Sequence, residues 1–442
     1  MKAAWHLSAG VRTDTPAKAP AASPARLSRL ACAALLAAAG SAHAVDWTVS
    51  GFGTVGYAVT DQDWTYQRHL DDDGTWWRDT RLGAQLDARL NPAWSATLQL
   101  TLAPSTRHDR QWAAESAWAF VAWRPDNDWQ LRAGKQRIPM FLNSENLDVG
   151  QTYALARLPV EVYALSPTND FTGLSVTRTW QHGAGELSAD VFGGRAQINV
   201  RRHSSDLGSS YLATDTDVVG AVLTWRAPAL TWRLGFHNAR TQAANGQALP
   251  TSFPFVDLGG GMVYYRVSDE LYGPVPVPTT RTIVNQVINL AVDAELAPNW
   301  RVVGEFARVF QRRTSLGTDS AGAYVAVLHE MGSVTPYALV ARQQSMGGGR
   351  LIAKRLHAAA DSAFDPQLAL AQRAAAETGV QLYDQTSFGV GAAWAVGARS
   401  QLKAEWMHTR IGEGSYLVDS LKGQRVHDDS VQVWSLNYSF AF

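Results

Sequence analysis

The sequence predicts an all-β chain, a transmembrane antiparallel β-barrel of 16 strands with short periplasmic turns and long extracellular loops. Three observations predict it. Apolar and polar residues alternate over many short segments, the pattern of a strand with one apolar face. Connections alternate between short and long, and tryptophans flank the short ones, as in outer-membrane barrels. A soluble sandwich also alternates, but it has no reason to place tryptophan at one end of its strands only.

The first 44 residues are predicted to be a cleaved signal peptide. A basic edge at Arg26 and Arg29 precedes a short apolar run, and Ala42-His43-Ala44 fits a small-residue cleavage site. The single cysteine, Cys32, falls inside this segment. The predicted mature chain, residues 45–442, therefore has no thiol for a disulfide or a thiolate metal site, and we expect it to form a single barrel domain.

Composition excludes two classes of protein. Lys+Arg and Asp+Glu number 39 each, which argues against a nucleic-acid partner. No segment after the signal approaches about 18 consecutive apolar residues, the length that indicates a membrane helix. A soluble protein and a β-barrel remain.

Sixteen candidate strands follow in order. In the second, every even position from 82 to 90 is apolar. Short turns such as Asn91-Pro92 follow even-numbered strands, and most longer connections, including 137–170, 241–281 and 344–385, follow odd-numbered ones. The candidates are 47–58, 76–90, 93–103, 113–123, 129–136, 171–180, 185–194, 216–226, 230–240, 282–296, 300–310, 318–329, 334–343, 386–395, 399–409 and 430–442.

Tryptophan marks one rim of the predicted barrel. Four tryptophans open strands just after short turns, and four close strands just before them. An indole at this level keeps its ring in lipid and its N–H among headgroups. The eight are Trp94, Trp129, Trp232, Trp300, Trp123, Trp180, Trp225 and Trp394.

The last segment places five apolar residues on one face and ends on an aromatic residue. The five are Trp434, Leu436, Tyr438, Phe440 and Phe442. This pattern resembles the terminal signal that the barrel-assembly machinery of Gram-negative bacteria reads. We therefore expect that machinery to be a partner during assembly.

Five segments in the first half carry a family resemblance. They are Thr80 to Asn91, Leu131 to Lys135, Ser144-Glu145, Asp148 to Gly150 and Leu158 to Tyr163. They resemble the Gram-negative outer-membrane porins, and most closely the proteobacterial porins related to the phosphate-selective group. The resemblance implies a 16-stranded barrel, often a homotrimer, that contacts outer-membrane lipid and lipopolysaccharide. It also implies that the third outer loop lies inside the pore.

By strand count, the connection 137–170 is that third outer loop. Loops of this length are usually functional or disordered, and this one is too apolar for a disordered linker. We expect it to narrow the pore. Anion-specific members of the family carry a dense ladder of basic residues. Here the two arginines of the loop face four acids, the fourth being Asp170, so phosphate selectivity is not supported. The candidate constriction residues are Arg137, Glu145, Asp148, Arg157 and Glu161.

Strand parity assigns charged residues to the lumen wall, because a mid-bilayer arginine facing lipid costs about 2–4 kcal/mol. The mixture of signs predicts weak ion selectivity and a transverse field that orients polar solutes. The predicted wall residues are Arg81, Asp87, Arg89, Glu115, Arg132, Arg233, Arg301, Glu305, Lys403 and Glu405.

Three patterns are assigned no chemical role. Gly51 to Gly56 matches the dinucleotide fingerprint, but it lies within a strand and not between a strand and a helix. Asp71 to Asp73 are adjacent acids, unlike the spaced ligands of a calcium site. Histidines are dispersed, and the sequence has no Gly-x-Ser-x-Gly or His-Glu-x-x-His motif. We expect no catalytic residue, no metal and no cofactor.

The predicted function is passive diffusion of small hydrophilic solutes and ions through a water-filled barrel, without enzymatic activity. One alternative is a substrate-specific channel for a carboxylate or a sugar. The other is a surface-interaction or hydrolase barrel with a closed lumen. In the loop 344–385, Asp365 is placed to cap a helix that begins at Pro366.

Overall fold

The computed structural model describes residues 45–317 and 319–442; the predicted signal peptide lies outside them. Within the described part, 16 antiparallel strands form one closed barrel. Each strand pairs with its neighbours in the sequence, and the first pairs with the last. The predicted fold class is confirmed.

The barrel strands are β1 (Asp46–Thr60), β2 (Arg81–Arg89), β3 (Trp94–Pro104), β4 (Trp112–Trp123), β5 (Trp129–Arg137), β6 (Asp170–His182), β7 (Gly185–Ser204), β8 (Gly208–Ala227), β9 (Leu230–Ala243), β10 (Ile283–Ala297), β11 (Trp300–Arg312), β12 (Ser320–His329), β13 (Val334–Ser345), β14 (Tyr383–Gly397), β15 (Ser400–Ser415) and β16 (Asp429–Ala441).

The structure differs from the predicted strands most clearly in two regions. The second strand begins at Arg81 and not at 76, so residues 76–80 belong to the first outer loop. The connection expected between 194 and 216 is instead the upper half of the β7–β8 hairpin, which closes at Gly208 with a φ of 76°. A glycine adopts this left-handed backbone without the steric cost that a β-carbon brings. The ladder can therefore continue to the turn.

The outward face of the barrel is apolar, and tryptophans lie at the rim with the short turns. Trp94 and Trp123 stand opposite each other on β3 and β4, with their ring centroids 6.0 Å apart. Trp300 and Trp394 are also exposed at the starts and ends of their strands. No helix of the described part is long and apolar enough to cross a membrane.

A β-bulge reverses the inward face of β4. Gln99 pairs with Trp118 and Leu100 pairs with Ser116, so Ala117 is left over in the ladder. One extra residue exchanges the two faces of a strand. Phe120 is therefore buried on the inner side. The guanidinium carbon of Arg132 lies over its ring, 5.4 Å from the ring centroid.

Two glycines of β1 leave room for the aromatic rings of Phe440 and Phe442 at the end of the chain. A β-carbon at Gly51 would lie 2.2 Å from the Phe442 ring, and one at Gly53 would lie 2.6 Å from the Phe440 ring. Side chains cannot approach this closely. The glycine pattern that matches a dinucleotide fingerprint thus leaves space where β1 meets β16.

Three α-helices lie in the outer connections of the described part, besides a 3-10 turn at Gly150–Thr152 and a π-helical turn at Ala375–Gly379. Helix α1 (Val160–Tyr163) lies between β5 and β6, and α2 (Gly349–Asp361) and α3 (Pro366–Ala374) lie between β13 and β14. The Asp365 carboxylate accepts a hydrogen bond from the Leu368 N–H at 3.0 Å. The predicted cap is confirmed.

Candidate functional site

The segment 138–169, here called the inner loop, packs against the inside of the barrel wall. Phe141 and Val162 of the loop share one buried apolar cluster with Phe192, Tyr324 and Leu339 of the wall. Burying side chains of this size stabilises the contact by about 1.5–3 kcal/mol each. The loop is therefore held by packing along β7 to β13.

Glu305 of β11 is the first polar anchor of the inner loop. Its carboxylate is 4% exposed. It accepts hydrogen bonds from the Leu142 N–H and from the hydroxyls of Tyr163 and Tyr324, each at 2.8 Å. A buried carboxylate is stable only with such donors. The alternation of apolar and polar residues predicts that Glu305 faces inward. In the structure, Glu305 faces inward and binds the inner loop.

Glu161 of helix α1 is the second polar anchor. It is 2% exposed, and its carboxylate accepts hydrogen bonds from Gln385 Nε2 at 2.8 Å and from Ser387 Oγ at 2.5 Å. The sequence predicted Glu161 as a constriction residue. The structure places it away from open space, against β14.

The third anchor lies on β15. Lys403 Nζ donates to the Leu155 carbonyl oxygen at 3.0 Å. The Tyr337 hydroxyl donates to Glu405 Oε2 at 2.9 Å and accepts from the Ala156 N–H at 2.8 Å. Lys403 and Glu405 are both buried. These predicted wall residues hold the loop and do not line open space.

Arg233 of β9 also holds the inner loop. It is 4% exposed and donates to the Phe141 carbonyl oxygen. On the next strand, Asn289 Nδ2 donates to the Met140 carbonyl oxygen at 2.5 Å. Strands β9, β10, β11, β13 and β15 thus all supply donors or acceptors to the loop.

Open space remains between the inner loop and β1 to β4. Two cavities of about 420 and 350 Å³ adjoin there and share Arg68, Arg81 and Arg157 in their walls. We call this space the channel. Burial and the nearby Arg68 charge lower the pKa of His69, another wall residue, to about 4. His69 is therefore neutral at pH 7.

Asp79 joins two arginines in the channel wall. Its carboxylate lies 2.6 Å from Arg78 Nη2 and 2.6 Å from Arg157 Nη1. Burial of Asp79 favours its neutral form, but the two guanidinium groups outweigh burial and hold the pKa of the carboxyl well below its usual range. Arg157, predicted as a constriction residue, therefore faces the channel beside a firmly ionised partner.

Asp148 and Asp109 repeat this arrangement. Asp148 accepts from Arg81 Nη1 at 2.7 Å and pairs also with Arg137. Asp109 lies 2.7 Å from Arg68 Nε and 2.8 Å from Arg201 Nε. Burial opposes the charge on Asp109, but hydrogen bonds from its partners hold its pKa below the usual range.

The other predicted residues are spread over the inner wall and the inner loop, and one of them, Glu115, also lines the channel. Glu145 Oε1 lies 3.3 Å from Arg132 Nη1, and Arg301 pairs with Asp293 near the periplasmic end. Asp87 accepts hydrogen bonds from Gln85 and Thr97. Glu115 lines the smaller cavity, and Arg89 is exposed at the end of β2.

Sequence reasoning missed four charged residues of the channel wall and Asp109, which pairs with two of them. They come from separate outer loops and from the top of β7, and their common feature is that they converge in space. No local pattern marks such a set. The five are Arg68, Arg78, Asp79, Asp109 and Arg201.

A comparison with known sequence families adds a similarity to the observed fold. Residues 51–243 match the sequence profile of the family described as phosphate-selective porin O and P. Over this part, the chain is similar to the outer-membrane porins of the phosphate-selective group. Together with the closed barrel, this similarity supports a passive channel of the Gram-negative outer membrane. No curated protein matches it.

Solved structures agree with this porin in fold. The outer-membrane OmpT of Vibrio cholerae superposes with a TM-score of 0.50 and 9% identity, covering 91% of this chain and 99% of that one. The outer-membrane channel DcaP of Acinetobacter baumannii gives a TM-score of 0.50 and 10% identity over the same shares. In-vitro folded OmpT in its trimer form also gives 0.50 and 10%, covering 90% and 100%. At these identities the likeness establishes the fold alone.

Proposed function

We propose that this porin passes small hydrophilic solutes through the channel with a preference for anions, and that it has no enzymatic activity. The inner loop narrows the lumen, and the arginines beside it set the local field. Opposed charges in a narrow pore orient polar solutes and select by sign.

One observation carries the preference for anions: in the pairs Arg157–Asp79 and Arg81–Asp148, the arginine side chain is more exposed than its acid. The Arg157 side chain is 30% exposed and that of Asp79 is 6%. The Arg81 side chain is 24% exposed and that of Asp148 is 13%. A passing solute therefore meets guanidinium groups, which bind carboxylate and phosphate through paired donors.

Two acids are more exposed, and each faces two cations. Asp109 is 27% exposed and pairs with Arg68 and Arg201. Asp170 is 26% exposed and lies within 4.0 Å of two cationic side chains, Lys135 and Arg137. Each exposed acid is thus matched by two cations, and the most exposed guanidinium group of the channel is that of Arg157. The sequence-based prediction of weak selectivity rests on the mixed charges of the strands and leaves out Arg68 of the first outer loop.

The test is the reversal potential of the reconstituted porin in a potassium chloride gradient. We expect a permeability ratio that favours chloride, and Arg157→Gln should lower that ratio about twofold or more, because the most exposed guanidinium of the channel is removed. Arg132→Gln is the matched control, since Arg132 lies on the other side of the inner loop with Glu145. An equal ratio in wild type and Arg157→Gln would contradict the preference.

The same recordings distinguish simple diffusion from the alternative, a substrate-specific channel. A carboxylate that binds between Arg81 and Arg157 would interrupt the current at millimolar concentration. Simple diffusion gives currents that a dicarboxylate or a sugar leaves uninterrupted. A protein that gives no conductance at all would contradict both.

We propose further that the porin forms a homotrimer. OmpT of Vibrio cholerae has been solved in a trimer form, and this chain shares its fold. Chemical cross-linking in native membranes should give a ladder that ends at three subunits.

A further inference from the structure

The β7–β8 hairpin continues beyond the barrel wall. The ladder with β6 ends at the pair Thr172 and Arg195, and the ladder with β9 ends at the pair Ala243 and Thr214. Beyond these pairs, residues 199–212 form a two-stranded ribbon, which we call the strap. A ribbon of two strands is only marginally stable by itself. The position of the strap is therefore set by the parts of the chain that it contacts.

The strap crosses the mouth of the barrel. Arg201 Nη1 of the strap donates to Asp419 Oδ1 of the β15–β16 loop at 2.8 Å, and the Tyr416 hydroxyl of that loop donates to the Arg201 carbonyl oxygen at 2.6 Å. In the ring of 16 strands, β15 stands opposite β7. A barrel of this size is about 30 Å wide, because its tilted strands are about 4.8 Å apart. The strap and the β15–β16 loop therefore meet over the lumen.

Arg201 holds the middle of the strap to two loops. Its guanidinium group pairs with Asp419 and also with Asp109 of the β3–β4 loop, which lies 2.8 Å from Arg201 Nε. Tyr211, opposite Arg201 in the ribbon, donates to Asp109 at 2.7 Å and accepts from Arg68 Nη2 of the β1–β2 loop at 2.9 Å. One guanidinium group thus joins the strap to loops from different parts of the barrel.

The tip of the strap is held by the loop that carries α2 and α3. The Ser205 N–H and hydroxyl donate to the Glu377 carboxylate at 3.0 and 2.7 Å. Arg373 Nε, near the end of α3, donates to Asp206 Oδ2 at 2.9 Å. All four residues lie apart from the walls of the two channel cavities. These tip contacts can therefore be changed without changing the surface that a solute meets in the channel.

The strap bounds the channel on its outer side. Arg201 of the strap lies in the wall of the larger cavity, together with Tyr416 and Asp419 of the facing loop. The ion pairs that hold it are accessible to water, since the side chains of Arg201 and Asp109 are 19% and 27% exposed. Salt weakens ion pairs that water reaches. The strap is therefore held over the channel by contacts that can be broken and formed again.

We propose that the strap is a gate at the outer end of the channel. The ion pairs of Arg201 and the contacts of the tip hold it in the closed position, and lifting of the strap widens the entry. Because salt weakens these ion pairs, the gate opens more often as ionic strength rises. The proposal builds on the channel proposed above, but it does not depend on the preference of that channel for anions.

The first test weakens the tip contacts. Asp206→Asn with Glu377→Gln removes both of their carboxylates. Asp361→Asn with Glu270→Gln removes two exposed acids of the outer loops and is the matched control. In single-channel recordings, we expect the tip variant to raise the ratio of time at high conductance to time at low conductance about tenfold, and the control to match wild type. Raising the salt concentration should increase this ratio in wild type.

The second test closes the gate covalently. The one cysteine of the sequence, Cys32, lies in the predicted signal peptide, so cysteines introduced into the predicted mature chain react alone. Ser205→Cys with Glu377→Cys removes the hydrogen bonds of the tip, and a short bifunctional thiol reagent joins the two positions again. We expect the high conductance to appear in the double variant, to disappear with the bridge and to return with reductant. Ser205→Cys alone should not respond to the reagent.

A labelling rate gives a readout that does not need conduction. Asn169 is exposed and lies in the walls of both cavities. In intact cells, Asn169→Cys should react about tenfold faster with a bulky thiol reagent when Asp206→Asn and Glu377→Gln are also present. Equal rates would overturn the gate, and so would a conductance that the bridge leaves unchanged. Labelling that follows the tip in a protein without conductance would support the gate and contradict the proposed diffusion.

Discussion

At the scale of single residues, the porin uses carboxylates as bridges between arginines of different elements. Asp79 and Arg78 belong to the first outer loop, and Arg157 belongs to the inner loop. The arrangement orients guanidinium groups toward open space while their acids stay behind them. A lone arginine on a flexible loop would lose this orientation to rotamer freedom.

Asp79→Asn tests the bridge. Removing one partner of a buried pair costs about 3–5 kcal/mol, because the remaining charges lose compensation. The folded-state pKa of Asp79 is depressed, so its contribution is present above the unfolded value near 3.8 and is lost only as pH falls through the lower folded value. We expect the variant to unfold at lower denaturant concentration at pH 7 and at pH 5 alike. Asp72→Asn, an exposed acid in the same loop, should leave the midpoint unchanged; a matching shift in that control would refute the bridge.

At the scale of elements, the inner loop is held by many different strands. Glu305, Glu161 and Lys403 lie on or against different parts of the wall. Because the anchors are spread along the loop, one substitution should loosen one section and leave the others in place. The loop then keeps its position in the lumen.

A disulfide tests that position. A β-carbon built at Gly150 of the inner loop lies 3.3 Å from the Ser439 β-carbon on β16, close to the 3.5–4.5 Å that disulfides use. We expect Gly150→Cys with Ser439→Cys to form a bridge under mild oxidation, seen as a shift in electrophoretic mobility that reductant reverses. Gly150→Cys alone should show no shift. Free thiols in the folded, oxidised double variant would mean that the loop lies elsewhere.

At the scale of the whole molecule, much of the fold follows from the sequence because alternation has a period of two. That period sets the inward and outward face of every regular strand, and it placed Glu305 and Lys403 correctly on the inner side. It fails where a bulge inserts one residue, as at Ala117. The channel could not be anticipated, because Arg68 and Arg201 are separated by more than a hundred residues and meet only through tertiary packing.

Phe442 gives a prediction at this scale. Its ring lies over Gly51 on β1, where the first and last strands pair. We expect Phe442→Ala to lower the amount of folded barrel in outer membranes several-fold, measured by heat-modifiable mobility, because both the packing and the predicted terminal signal are removed. Phe388→Ala removes an equally aromatic, outward residue from the middle of β14 and should assemble normally. Equal assembly of both variants would argue against a special role for Phe442.

The pairing of β1 with β16 also affects folding kinetics. All other strand pairs of the barrel join neighbours in the sequence, whereas this one joins Phe52 to Ala441 across nearly the whole chain. Contacts of such separation are reached slowly, because loop-closure entropy is lost before the contact contributes any energy. We expect hairpins to form early and this last ladder to limit the rate. Until it forms, two strand edges stay unpaired, and the half-built sheet is open to aggregation.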